Sequence, residues 1–199
     1  MDFHGVAAVT NNIYAKISGA GLLRFSVNQG ATPPSKQDDF LYGDLSEFTG
    51  VIEAQATGSG TKPMLGFVRG ISFPGDTAAK TRGGLVATNG VKLVFSASGT
   101  IGPNRGVDFG SGTRTEIYVA AGETVTISSD VVGASGFEKT GAGTLILTGK
   151  LRNLTGTVRV SEGTLVLPSE SRCKSFTLDV APGAMVVHER EPGLVIRIT

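Results

Sequence analysis

Acidic side chains are the first candidates for chemistry in this chain. Three carboxylate pairs stand close in the sequence: Asp38 with Asp39, Glu189 with Glu191, and Asp130 with Glu138. Two converging carboxylates are what glycoside hydrolysis requires. Neighbouring residues of an extended chain point to opposite sides, and Asp38-Asp39 follows a proline-rich stretch, so we expect this pair to be solvated surface. Of the three functions considered for this chain, which are a scaffold, a filament-forming protein and a β-helical polysaccharide-active enzyme, the enzyme is therefore the least favoured.

Nucleophiles and metal ligands are sparse. The single cysteine, Cys173, is distant in sequence from both histidines, His4 and His188. This distribution matches neither a catalytic triad nor a zinc-ligand spacing. We interpret Cys173 as a lone, partly buried thiol that forms no internal disulfide. The sequence predicts no catalytic residue, no cofactor and no metal site.

A glycine-rich stretch at residues 141–149, GAGTLILTG, is a candidate phosphate loop. Such a loop needs the pattern Gly-x4-Gly-Lys-Ser/Thr between a strand and a helix. Lys150 follows the last glycine, but no helical pattern comes after it. We therefore interpret these glycines as turn residues.

The bulk composition narrows the class of protein. Hydrophobic residues make up 40% and charged residues 18% of the 199 residues, which is typical of a folded domain. The formal net charge of +1 gives no reason to expect nucleic acid as a partner. No apolar run approaches the roughly 18 residues of a membrane helix, so we expect no membrane insertion of this segment.

The elements that must position these side chains are short strands. Apolar and polar residues alternate with period two, as in TVTI at residues 124–127, and no helical stripe is present. Blocks of this kind begin at residues 121, 141, 161 and 181. A repeat of about 20 residues with more than one strand per period is typical of a β-solenoid.

The repeat predicts which residues share a row and which make corners. The expected interior ladder has two columns: Val125, Leu145, Leu165 and Met185, and Ile127, Leu147, Leu167 and Val187. The expected coil corners are Gly141, Gly143, Gly163 and Gly183. We expect one continuous domain, with regular coils over residues 90–199 and an irregular part over residues 1–89. The irregular part carries loop insertions at residues 28–44 and 58–84. Within them, residues 33–42 and 69–82 are the candidate surfaces for a carbohydrate or a host or cell-surface protein.

The sequence pattern of the second half of the chain resembles the autotransporter-associated β-strand repeat. The residues that carry the resemblance are KTGAGTLILTG at 139–149 and LTGTVRVSEGTLVL at 154–167. This resemblance implies a right-handed parallel β-helix, with about 20 residues per coil in the C-terminal half. It also implies a passenger region of a bacterial autotransporter or similar surface protein. Such a region would be extracellular and exported as part of a longer chain.

The leading hypothesis is thus a non-enzymatic extracellular scaffold that presents loops for adhesion or display. The apolar, strand-like residues 194–199 suggest a second one. An open β-helix end exposes backbone hydrogen-bonding groups. A second copy that paired with it would extend the stack head to tail into a filament.

Overall fold

The computed structural model describes residues 2–5, 9–29, 37–58, 62–169, 173 and 176–189. Parallel strands account for most of these residues. In chain order the strands are β1 (Asp2–Gly5), β2 (Val9–Ile13), β3 (Leu22–Gln29), β4 (Gln37–Leu41), β5 (Val51–Gly58), β6 (Met64–Phe67), β7 (Thr81–Thr88), β8 (Lys92–Phe95), β9 (Gly99–Ile101), β10 (Arg105–Asp108), β11 (Thr115–Val119), β12 (Thr124–Ile127), β13 (Val131–Val132), β14 (Gly136–Thr140), β15 (Thr144–Leu147), β16 (Thr157–Val160), β17 (Thr164–Leu167), β18 (Thr177–Val180) and β19 (Met185–His188).

The strands form three sheets that run along the length of a solenoid. The first sheet has the order β1-β3-β5-β7-β10-β13. The second has the order β18-β16-β14-β11-β8-β6-β4-β2, and the third β19-β17-β15-β12-β9. Successive strands of one sheet come from successive coils, so the chain winds through about 7 turns. The predicted all-β solenoid is confirmed.

The coil length varies along the chain, with a mean of about 24 residues. The expected spacing holds where β12, β15 and β17 stack, with Thr124 opposite Thr144 and Thr144 opposite Thr164. Earlier coils are longer: Lys92 lies opposite Glu116, and Met64 lies opposite Lys92. Part of the extra length is in β7, which has eight residues against two to five in the later strands, and the rest is in the corners.

The segments expected to be loop insertions contribute to the sheets. Residues 28–44 contain β4 and residues 58–84 contain β6, and both strands are interior members of the second sheet. Leu65 and Phe67 of β6 are buried. The loop prediction is wrong for these strands, because proline-rich flanks conceal short runs that pair with neighbours on both edges. A 3₁₀ turn at Gly70–Ser72 is the one helical element among the described residues.

Inward-facing side chains of the three sheets form one continuous core. Alternate residues of the strands point inward, as the burial pattern of β11 shows for Ile117 and Val119. Phenylalanine rings add a stack inside the middle coils, where Phe95 lies 5.2 Å from Phe67 and 5.4 Å from Phe73 between ring centroids. Because each coil buries its apolar side chains against its neighbours, no coil has a core of its own.

Candidate functional site: the stacked interior and corners of the coils

The predicted interior columns occupy the inner face of the third sheet. Leu145 lies directly opposite Val125 on one side and Leu165 on the other, and all three side chains are fully buried. Leu147 lies opposite Ile127 in the second column. Leu167 is likewise buried. The rows stack at the strand spacing of about 4.8 Å, which brings like side chains into contact.

The columns do not continue to Met185 and Val187. Strand β19 is shifted by one residue, so Val186 lies opposite Leu165 and His188 opposite Leu167. The side chains of Met185 and Val187 are instead 57% and 42% exposed. A one-residue slip sends every side chain of a strand to the opposite face.

The cause of the slip is the turn before β19. Residues 181–184 separate β18 from β19, whereas only residues 161–163 separate β16 from β17. The additional residue in this turn changes the period at the last coil. A constant spacing therefore predicts the wrong face for β19.

Three of the four predicted corner glycines, Gly141, Gly143 and Gly163, lie where a neighbouring backbone leaves no room for a Cβ atom. Gly141 has a φ of 75°, and an added Cβ would lie 2.3 Å from the Val119 carbonyl oxygen. Gly163 has a φ of 68°, and its Cβ would lie 2.4 Å from the carbonyl oxygen of Gly143. Gly183 also has a positive φ, but its Cβ would meet nothing within 4 Å. Only glycine satisfies both conditions at 141 and 163.

A fully buried lysine lies beneath the Gly141 corner. Lys139 is an inward residue of β14, opposite Ile117. Its ammonium group donates hydrogen bonds to the carbonyl oxygens of Thr140 (2.9 Å), Gly141 (2.7 Å) and Glu162 (3.2 Å). Burial lowers the pKa of Lys139 to about 8, and the charge of Glu162 opposes this shift. The lysine thus stabilises the corner from inside by satisfying the hydrogen-bonding capacity of these carbonyl groups.

A fully buried arginine joins three coils in the middle of the chain. Arg105 of β10 donates hydrogen bonds to the carbonyl oxygens of Gly50 (2.6 Å), Phe48 (2.7 Å), Gly84 (2.9 Å) and Gly75 (2.9 Å to Nε). A further bond from Nη2 reaches Gly75, so all five guanidinium N–H groups are used. Burial lowers the pKa of Arg105 to about 10. The arginine therefore connects the irregular coils to the regular ones.

Sequence reasoning missed the roles of both buried cations. A signal exists for Lys139, because it stands two positions after Phe137 on a strand and must share its inward face. The partners of Arg105 lie as far as 57 residues away, and no local pattern identifies them.

The carboxylate pair Asp38-Asp39 is buried, contrary to the expectation of a solvated surface. Asp39 is 1% exposed and accepts a hydrogen bond of 2.7 Å from the side-chain amide of Asn11. Asp38 is 7% exposed and accepts a hydrogen bond of 3.2 Å from the Met64 N–H. Asp39 shares the inward face of β4 with the buried Leu41, and Asp38 on the other face lies between Thr10 and Met64 of the adjacent strands.

The carboxylates of the Asp130–Glu138 pair are engaged in separate ion pairs. Asp130 lies 3.0 Å from the Lys80 ammonium group and accepts a hydrogen bond from the Lys150 N–H. Glu138 lies opposite Glu116 on the outer face of the second sheet. In the Glu189–Glu191 pair, Glu191 lies outside the described residues.

Lysines and an arginine neutralise the stacked pair of Glu116 and Glu138. Lys92 and Lys62 approach Glu116 at 2.8 and 3.2 Å, and Arg159 lies 3.8 Å from Glu138. Burial raises the pKa of Glu116, but hydrogen bonds from Lys92, Thr140 and Lys62 outweigh it and leave this pKa lowered. An ionised glutamate held by two ammonium groups suits a structural ladder better than a general acid.

The last described coil carries the thiol and an incompletely covered apolar surface. Cys173 is partly buried, and its Sγ lies 3.6 Å from the Pro168 carbonyl oxygen. It lines a shallow groove with Phe176, Leu178 and His188. The side chain of His4 and residues 194–199 lie outside the described part. In that part, no three His, Cys, Asp or Glu side chains cluster as a metal site would require.

Comparisons with known proteins agree with the fold. Residues 137–167 match the family model of the passenger-associated-transport-repeat. Neither a curated protein nor a solved structure matches the chain significantly. No helix among the described residues has the length and apolar character needed to cross a membrane. The resemblance seen in the sequence is thereby confirmed: residues 137–167 carry a passenger-associated-transport-repeat, within a β-solenoid consistent with an autotransporter passenger β-helix.

Proposed function

We propose that this chain is a non-enzymatic scaffold in the exported passenger of a bacterial surface protein. The observation that carries the proposal is the position of the passenger repeat, residues 137–167, inside an uninterrupted stack of parallel strands. A stack of this kind holds its corners and loops at fixed distances along one axis. Its function is then mechanical: it presents surfaces outside the cell for adhesion or display.

The interior supports this function, because it makes local opening costly. Strands β4 to β16 of the second sheet are paired on both edges, so their backbone groups are not accessible to a protease. Arg105 and Lys139 each bind carbonyl groups of more than one coil. Opening one coil would therefore expose a buried cation or several unpaired carbonyl groups.

Export of the chain as a passenger tests the proposal. The chain is placed between a signal peptide and an autotransporter translocator, and protease added to whole cells reports which part is surface-exposed and resistant. We expect a resistant surface fragment for the native sequence. Leu145→Asp should abolish it, because the substitution buries a carboxylate in the ladder.

Ile146→Asp is the matched control, because Ile146 is the outward neighbour of Leu145 on β15. This variant should reach the surface and resist protease as the native chain does. Retention of the native chain inside the cell would refute the passenger function. Equal behaviour of the two variants would show that the ladder is not what confers resistance.

A second candidate function is end-to-end assembly into filaments. The observation that favours it is the exposure of apolar side chains on the last coil: Leu178 (37%), Val180 (42%), Met185 (57%) and Val187 (42%). At this end of the described structure, β18 and β19 each end a sheet and are paired on one edge only, as β1, β2, β9 and β13 are at the other sheet ends. Sedimentation over a range of concentrations, with negative-stain microscopy, tests this function. A native chain that stays monomeric at high concentration would refute it, and Val180→Lys should shorten any filaments that form.

A further inference from the structure

A polar groove crosses four coils on the outside of the solenoid, at the corner that follows the first sheet. Its volume is about 300 Å³, which is at the lower end of the range for ligand sites. The polar residues that line it are Arg82, Asp108, Ser111, Asn153 and Thr155. Because the coils are about 4.8 Å apart, the groove is about 14 Å long.

An irregularity in β7 places Arg82 at the rim of this groove. Thr81 lies opposite Arg105 and Leu85 opposite Val107, so residues 82–84 of β7 face the single residue Gly106 of β10. A bulge of this kind redirects a side chain without ending the sheet. The Arg82 side chain is 77% exposed as a result.

Glycines form the floor of the groove and give it a fixed shape. Gly110 and Gly133 have positive φ values of 60° and 140°, and a Cβ at Gly133 would lie 3.0 Å from the Phe109 Cβ. Backbone hydrogen bonds cross the coils here, from the Thr155 N–H to the Gly133 carbonyl at 2.8 Å and from the Gly133 N–H to the Asn153 carbonyl at 3.2 Å. The floor is therefore held by main-chain contacts that do not depend on the polar side chains above it.

The polar side chains of the groove have unused hydrogen-bonding capacity. Ser111, Asn153 and Thr155 are exposed, and their side chains form no hydrogen bond with another described residue. The Arg82 Nε atom lies 3.8 Å from the Asp108 Oδ2 atom, which is too far for a hydrogen bond. The Asp108 Oδ1 atom accepts a hydrogen bond of 2.7 Å from the Gly110 N–H. An amide, a guanidinium group, two hydroxyls and the second oxygen of this carboxylate thus face a common space.

We propose that this groove binds a short neutral oligosaccharide, a role that rests on the proposed function as a surface-exposed passenger. Vicinal sugar hydroxyls both donate and accept, and they match the planar amide of Asn153 and the guanidinium and carboxylate groups of Arg82 and Asp108. The charges of Arg82 and Asp108 cancel, so the groove does not select an anion. Ala134 is its only apolar side chain, which leaves no pocket to anchor a peptide.

Binding of the purified full chain to a printed array of neutral and acidic oligosaccharides tests the proposal. We expect the native chain to bind a subset of the neutral glycans. Asn153→Ala and Arg82→Gln should each weaken this binding at least tenfold. Asn12→Ala and Arg69→Gln are the matched controls, because both residues are exposed and neither lines the groove. The controls should bind as the native chain does.

Three results would overturn the proposal: no binding to any neutral glycan, binding to acidic glycans alone, or equal binding by the groove variants and their controls. Circular dichroism of each variant establishes that its fold is intact. The export assay above uses no glycan. A chain that reaches the cell surface but binds no glycan would therefore refute the groove proposal and leave the passenger function standing.

Discussion

Lys139 should make the stability of the solenoid rise with pH in a defined window. Its pKa is about 8 in the folded chain, against an ordinary value of 10.5 that an unfolded chain would show. Between these two values the unfolded state binds more protons than the folded state, so raising the pH favours folding. The difference corresponds to about 3 kcal/mol, present in full above pH 10.5 and absent below about pH 8.

The perturbation that isolates this effect is Lys139→Met, which keeps the side chain long but removes the titrating group. Urea unfolding followed by circular dichroism gives the free energy of unfolding of both proteins from pH 7 to pH 10.5. We expect the native chain to gain about 3 kcal/mol relative to the variant over this range. Other titrating groups cancel in the comparison, since both proteins contain them.

Lys150 provides the control, because its side chain is exposed. We expect the pH profile of Lys139→Met to depart from that of the native chain more than the profile of Lys150→Met does. Parallel pH profiles for the native chain and Lys139→Met would refute the reasoning. They would mean that the lysine in the folded chain is as well solvated as in the unfolded chain.

Three further predictions concern the interior and the corners, and urea unfolding tests each of them. Arg105→Met should cost about 3–5 kcal/mol, because it leaves the buried carbonyls that the guanidinium group serves without a donor; a loss below about 1 kcal/mol would contradict this. Leu145→Ala should lower the free energy of unfolding by about 2–5 kcal/mol through the cavity it leaves, whereas Met185→Ala should change it by no more than about 0.5 kcal/mol. Equal losses of stability in the two variants would refute the shifted register of β19. Gly163→Ala should lower the free energy of unfolding by at least about 1 kcal/mol more than Gly183→Ala does. Both substitutions add the strain of a positive φ, but only the one at Gly163 adds a steric clash with the adjacent coil. Similar losses of stability would show that the backbone moves to accommodate the Cβ at Gly163.

The two buried cations distinguish this interior from a purely apolar ladder. Among the described residues, the groups that bind each cation are backbone carbonyl oxygens rather than carboxylates. Burying a charge in this way is unfavourable unless every hydrogen bond is formed. The bonds form only when adjacent coils are in register, so these residues favour one register over a slipped one.

The sequence by itself determined the period-two alternation, the parallel stacking and the core of the regular coils. Val125, Leu145 and Leu165 are equally spaced, and equal spacing becomes contact when strands stack in register. Repetition alone carries this information, and it requires no knowledge of distant partners.

Only the tertiary structure decided what interrupts the repetition. One additional residue in the turn before β19 moved Met185 to the surface, and sequence spacing does not show which turn absorbs an insertion. Proline-rich flanks concealed β4, and with it the burial of Asp39. The partners of Arg105 are backbone carbonyls of other coils, and every residue type has such a carbonyl. Contacts of this kind leave no signature in side-chain chemistry, so only the folded chain reveals them.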